Sequence, residues 1–271
     1  MLPGVRLARA GIVTSRLAFG TSRLHYLGRA EQHRLLAAAA ELGFVHFDTA
    51  PAYGDGLAEA VLGRFVARGR DRFIVSTKYG VPADPIIQRW GSMGPMLRIT
   101  RAVARKAGFW QPRLPPLTPA GLRESAETSL RRLKTDRIDI FLLHEPNMER
   151  LSSPGAILAE LSDLKQRGLI RAFGVAGSWS CIEPLLKAEP GLGEVVQTAE
   201  SEWPDGLPPE ITYSAISRTS QSYFAAGSTT DLATRRLRAA LLKRPNGVVI
   251  VSSTKTHHLR ALAEVAREQR M

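Results

Sequence analysis

Short apolar runs alternate with stretches whose apolar residues recur at helical spacing along almost the whole chain. That rhythm predicts strand–helix units and a parallel sheet. The opening VRLARAGIVTSRLAF reads as a hairpin running into a strand near Leu17–Gly20. Further strands are predicted at Phe44–Phe47, Phe73–Ser76, Ile138–Leu143, Leu169–Val175, Val195–Thr198, Ile211–Ser214 and Val248–Ser252. Helices are predicted over 30–42 with Gly43 as the stop, 57–68, 119–133 with Thr118 as N-cap, 155–167 with Gly168 as the stop, 230–243 and 256–270. Counting from Leu17 gives eight strands, and each but the sixth and seventh is followed by a clear helix. Eight parallel strands with helices outside make an α/β chain of the (β/α)8 TIM-barrel type. An open doubly wound sheet shares the rhythm, but no Gly-rich dinucleotide fingerprint follows the first strand.

Two segments break the rhythm. Residues 82–118, after the third barrel strand, carry six prolines together with Trp90 and Trp110. A connection of that length inside a domain predicts a lid or binding loop. Residues 200–230 have little regular pattern and carry Trp203, Tyr213 and Tyr223. No repeat or interdomain linker is visible, so residues 1–271 are expected to form a single domain.

Composition narrows the setting. The one cysteine, Cys181, rules out an internal disulfide. The N-terminal apolar stretches are interrupted by Arg6, Arg9 and Arg16, unlike a signal peptide. No apolar run approaches the ~20 residues needed to span a bilayer. The expectation is a cytoplasmic protein without a membrane role; oligomeric state is not addressed. The net charge is +12, but the basic residues are scattered and show no interleaving with aromatics. This predicts a solvated basic surface rather than a nucleic-acid site, and a field suited to a phosphate-bearing cofactor. A nucleic-acid binder stays as an alternative whose mark would be steep salt dependence.

Ionisable residues fall at strand ends. Asp48 ends FVHF, Lys78 ends FIVST and His144 ends IDIFLL, while Tyr53 lies in the loop after Asp48. On a barrel, strand C-termini converge on the rim that carries active sites. A carbonyl that receives a hydride becomes an alkoxide and needs a proton, which a phenol can supply. An ammonium ~4 Å from a phenolate favours it by about 4 kcal/mol at an effective dielectric of 20, so Lys78 is expected to lower the Tyr53 pKa. Asp48 would hold Lys78 charged, and His144 would orient the carbonyl. Singly, each residue has a plainer reading: Asp48 as a helix cap, Tyr53 as rim packing, Lys78 as a solvated strand end, His144 as a core histidine. Their joint order outweighs those readings. One cysteine and dispersed histidines give no metal motif, and Ser214 and Ser217 lack a nucleophile-elbow context.

The segments FDTAPAYGDGLAEAVLG, STKYG and LLHEP resemble the three signature regions of the aldo/keto reductase superfamily. The resemblance runs from Gly20 and Thr21 to the last strand. It implies a catalytic tetrad of Asp48, Tyr53, Lys78 and His144 and reversible hydride transfer between NADP(H) and an aldehyde, ketone or sugar carbonyl. It also implies cofactor contacts from Gly20, Thr21, Gln197 at the carboxamide and Tyr213 against the nicotinamide ring. Ser252, Ser253, Thr254, Lys255 and His258 would grip the adenosine phosphate, with Lys255 and Arg260 favouring NADPH over NADH. The family's usual Ser-Asn after the fifth strand is replaced here by Ala176 and Gly177. That departure keeps open a reductase-like scaffold that binds NADP(H) as a sensor or partner subunit. Trp90, Trp110, Trp179 and Trp203 are expected to form a substrate wall, with Glu145 a residue of the rim.

Overall fold

A computed structural model describes residues 1–84, 114–151, 153–202, 210–216 and 229–269. Strands β1 (Gly4–Leu7) and β2 (Ile12–Ser15) form the expected antiparallel hairpin. Eight parallel strands then close into a barrel: β3 (Leu17–Gly20), β4 (His46–Asp48), β5 (Ile74–Tyr79), β6 (Ile138–His144), β7 (Ile170–Ala176), β8 (Val195–Ala199), β9 (Ile211–Tyr213) and β10 (Val248–Val251). β10 pairs with β3, so the sheet is closed and the open doubly wound alternative is excluded.

The helices are α1 (Arg29–Glu41), α2 (Leu57–Val66), α3 (Pro119–Leu133), α4 (Pro154–Gln166), α5 (Trp179–Ala188), α6 (Thr229–Lys243) and α7 (Thr256–Glu268). Their starts follow local chemistry. Thr118 and Ser153 accept hydrogen bonds from Gly121 N–H and Ala156 N–H, each just before a proline suited to a first helical position. Gly43, at φ 100°, ends α1 in a backbone that other residues reach only with strain. The helix expected over 230–243 is present as α6 and follows the seventh barrel strand, β9. Two expectations need correction. Trp179 opens α5, a helix absent from the predicted set, because Pro184 within it masks its sequence signal. β4 begins two residues later than expected and ends at Asp48, because Phe44 belongs to the turn that packs against the core.

Two apolar layers result. Between sheet and helices, Phe19, Phe44, Phe47, Phe65 and Phe73 stack largely edge-on, with ring centroids 5.4–6.5 Å apart. Inside the barrel, Ala18, Ile140, Leu142, Ala172, Ala176, Val195 and Ile250 pack, and Val5, Leu7 and Ile12 of the hairpin join them from the N-terminal end. The hairpin therefore plugs the bottom of the barrel and leaves the other rim for chemistry. Strand crowding is tightest at Gly174, opposite Val195 on β8: a Cβ there would lie 1.8 Å from the Val195 carbonyl oxygen. Gly174→Ala is expected to force β7 and β8 apart and cost about 3 kcal/mol, the upper end for overpacking, measured as a lower urea midpoint at unchanged m-value.

Candidate active site

The C-terminal ends of β4, β5 and β6 bring Asp48, Lys78 and His144 together, and the loop after β4 adds Tyr53. All four line one cavity of about 760 Å3. Lys78 donates to both carboxylate oxygens of Asp48, at 2.8 and 2.7 Å, and to the Thr49 carbonyl at 2.9 Å. Both side chains are almost fully buried. The Lys78 nitrogen stands 5.1 Å from the Tyr53 ring centre, and the Tyr53 and His144 rings meet edge-on at 6.3 Å.

A second layer supports this one. Residues two apart on a strand share a face, so His46 lies one layer below Asp48, and Ser76 one layer below Lys78. The Ser76 hydroxyl donates to Asp48 Oδ1 at 2.9 Å and lies 3.0 Å from His46 Nε2. A serine has a single hydroxyl proton. Because Asp48 takes it, His46 must donate from Nε2, and its tautomer follows. Gln197 on β8 adds a donation to Asp48 Oδ1 at 3.3 Å. Sequence reasoning passed over His46 and Ser76, although the signal was present: each precedes a site residue by two on the same strand.

Electrostatics follow from burial and from this pair. Burial alone would push Lys78 down, but Asp48 and Tyr53 together more than offset it, and the ammonium is held above its ordinary pKa. For Tyr53, burial is the largest effect and raises the phenol; the Lys78 ammonium lowers it, while the Asp48 and Glu145 charges add to the rise. The net shift is upward, which corrects the expectation of a lowered value: desolvation of the phenolate wins over a single neighbouring cation that Asp48 partly neutralises. Burial, then Lys78, depress His144 to about 3, and burial depresses His46 to about 4. Both imidazoles are neutral near pH 7. His144 Nδ1 is buried without a partner, and the imidazole lines the cavity.

The cofactor expectations divide. Gly20, Gln197, Tyr213, Ser252, Ser253, Thr254, Lys255 and His258 all line the same cavity. Thr21 does not: it is fully buried and spends its N–H and hydroxyl on the Asp48 carbonyl, at 2.9 and 3.0 Å. It supports the strand end that presents Asp48. Ser22, Arg23, Glu145, Ser214, Ile216 and Leu262 also line the cavity. Gln197 Oε1 is buried and without a partner, an acceptor that suits the amide N–H2 of a nicotinamide. Lys255 stands at the N-cap of α7, and helix N-termini favour phosphate. Ser252 and Ser253 are already engaged, Ser252 with the Gly20 carbonyl and Ser253 with Lys255 and His258. Trp90, Trp110, Trp203 and Tyr223 lie outside the described residues. Among the described residues no cluster of potential metal ligands occurs, and no helix is long and apolar enough to cross a membrane.

The two depressed histidines predict how stability varies with pH. Between pH 6.5 and about 4 the unfolded chain takes up protons on His46 and His144 that the folded chain refuses. Their contribution is complete above pH 6.5 and is lost as pH falls, by up to ~1.4 kcal/mol per pH unit for each histidine. His46→Gln is expected to flatten that slope by up to about this amount, read from urea denaturation at pH 4.5 to 7.

Comparisons with known proteins place this geometry in a family. The Aldo/keto reductase family profile matches residues 16–197. The D-threo-aldose 1-dehydrogenase of Pseudomonas sp. is 32% identical over 177 residues, covering 62% of this chain and 51% of the relative. The 6-dehydroglucose reductase of Novosphingobium aromaticivorans is 30% identical over 212 residues, covering 73% and 58%. The NADH-specific methylglyoxal reductase of Escherichia coli is 30% identical over 174 residues, covering 64% and 49%. The chain thus spans about half the length of these curated relatives. Among solved structures, a Klebsiella pneumoniae aldo-keto reductase in complex with NADPH superimposes with a TM-score of 0.71 at 20% identity, over 98% of this chain and 90% of that one. A holo-form aldo-keto reductase of Bacillus halodurans gives 0.72 at 19% identity, over 98% and 91%. With two thirds of its length matched by the family profile and a closed eight-stranded parallel barrel, the chain belongs to the aldo/keto reductase family.

Proposed function

We propose that this protein catalyses reversible, nicotinamide-dependent reduction of a small aldehyde, ketone or sugar carbonyl, with Tyr53 as the proton donor. The observation that carries the reading is the buried Lys78–Asp48 pair set beside Tyr53 and a neutral His144 in one cavity. When bound, the dinucleotide supplies or accepts the hydride. Gln197 would hold its carboxamide, Tyr213 would pack against its nicotinamide face, and Thr254, Lys255 and His258 would hold its phosphate end. The positive charges of Lys255 and Arg260 favour the extra phosphate of NADP(H) over NAD(H).

The chain's own groups manage the oxygen and the proton. Tyr53, raised above its ordinary pKa, stays a phenol at neutral pH and can donate to an oxygen that gains negative charge. The Lys78 ammonium then stabilises the phenolate left behind, and Asp48 keeps Lys78 charged and fixed. His144, neutral because burial depresses it, donates a hydrogen bond to the carbonyl and positions it without competing as an acid. This division resembles other sites in which environment alone separates acid and neutral roles.

The test is dinucleotide oxidation, followed by absorbance, against aldehydes, ketones and sugars, for wild type and Tyr53→Phe, with NADPH and NADH. Loss of the hydroxyl is expected to lower kcat by roughly 10²–10⁴-fold while dinucleotide binding is retained. Tight binding with no turnover by the wild type across the panel would instead favour a sensor or partner subunit. Absence of both would leave the fold without the activity.

A further inference from the structure

Glu145 is the first residue beyond β6, directly after His144. Its backbone takes φ 50°, the left-handed region that residues other than glycine enter at a cost. The surroundings impose it. Glu145 N–H donates to the Ala176 carbonyl at 2.7 Å, and the Arg150 guanidinium donates to the Glu145 carbonyl at 2.6 Å and to the Gly80 carbonyl at 2.5 Å. With the backbone tied on both sides, the carboxylate lies over Gly177. A Cβ at position 177 would stand 3.0 Å from Glu145 Oε2, so glycine there clears the space the carboxylate occupies. The Ser178 backbone N–H favours the charged carboxylate, but one donor uses only part of the capacity of a group with roughly four lone-pair sites.

This carboxylate is partly buried and lines the cavity with Tyr53, His144 and Tyr213. It is near enough that its charge raises both phenols. The reduction scheme above does not use it. An acceptor-only group cannot serve the carbonyl oxygen, which needs donors and is taken by Tyr53 and His144. It can serve hydrogen-bond donors on the atoms beside the carbonyl.

Resting on the reductase reading, we infer that Glu145 is a specificity-determining residue that accepts hydrogen bonds from substrate hydroxyls. The site is thereby directed to hydroxylated carbonyl compounds, the chemical class of aldoses and small hydroxyaldehydes. The same charge opposes substrates that carry a carboxylate.

The experiment compares kcat/KM for glyceraldehyde, for pentanal of the same non-hydrogen size, and for succinic semialdehyde, with NADPH and NADH. The proteins are wild type, E145Q and E145N; asparagine tolerates the left-handed backbone if glutamine does not. The variants are expected to lower the glyceraldehyde-to-pentanal ratio about 10-fold or more, the size of a charge-assisted hydrogen bond. They are also expected to raise kcat/KM for succinic semialdehyde, a gain that a merely structural role would not produce. Active variants with both measures unmoved overturn the inference, as does a change confined to dinucleotide affinity. Wild-type turnover of pentanal but not glyceraldehyde overturns it while the reductase reading stands. Wild-type turnover of none of the three overturns the inference, and absence of turnover across the wider panel above overturns the reductase reading as well.

Discussion

The site depends on one buried ion pair, Lys78 with Asp48. Removing two charges from water costs several kcal/mol for each ion, and proximity alone does not recover it. Here the offset is a full set of hydrogen bonds: Lys78 has both Asp48 oxygens and the Thr49 carbonyl, and Asp48 also accepts from Ser76 and Gln197. Those partners come from β5, β8 and the end of β4, so the full set of hydrogen bonds exists only when the barrel is closed. The strand register that sets Asp48 beside Ser76 is therefore also what makes an ammonium tolerable in the rim.

Around that pair, burial does the remaining tuning. It pushes a phenol up and an imidazole down, and both shifts preserve the neutral form at physiological pH. The result is a rim with one fixed cation and its countercharge beside two neutral donors. Backbone constraints define the cavity as much as charge does. Gly20 admits Ser252, Gly177 admits the Glu145 carboxylate, and Arg150 holds the ends of two βα loops together through their carbonyls. Gly177 leaves room for the carboxylate of Glu145 beside the cavity, where a Cβ would stand 3.0 Å from its Oε2.

Much of this was legible in the chain. The hairpin, the eight strands and the helices with Thr118 and Gly43 at their ends come from local periodicity and capping, which depend on near neighbours. Asp48, Lys78 and His144 stood out because each ends an apolar strand. What escaped the sequence were features whose cause is distant. Pro184 and Trp179 disguised a helix that the barrel surface stabilises. His46 and Ser76 read as ordinary strand residues until the register aligned them under the ion pair. Thr21 follows a strand end like the cofactor residues do, yet its hydroxyl turns to the Asp48 carbonyl.

The sequence by itself determined the element order, the count of eight strands and the residues available to the rim, because periodicity and turn chemistry are local properties. Tertiary structure decided that the sheet closes and that Lys78 and Asp48 share one buried site. It also decided the direction of the Tyr53 pKa. From residue types alone, a lysine near a tyrosine argues for a lowered value; in the folded chain, desolvation and the Asp48 countercharge reverse the sign. Burial and pair geometry are sums over groups far apart in sequence, so only the closed barrel specifies them.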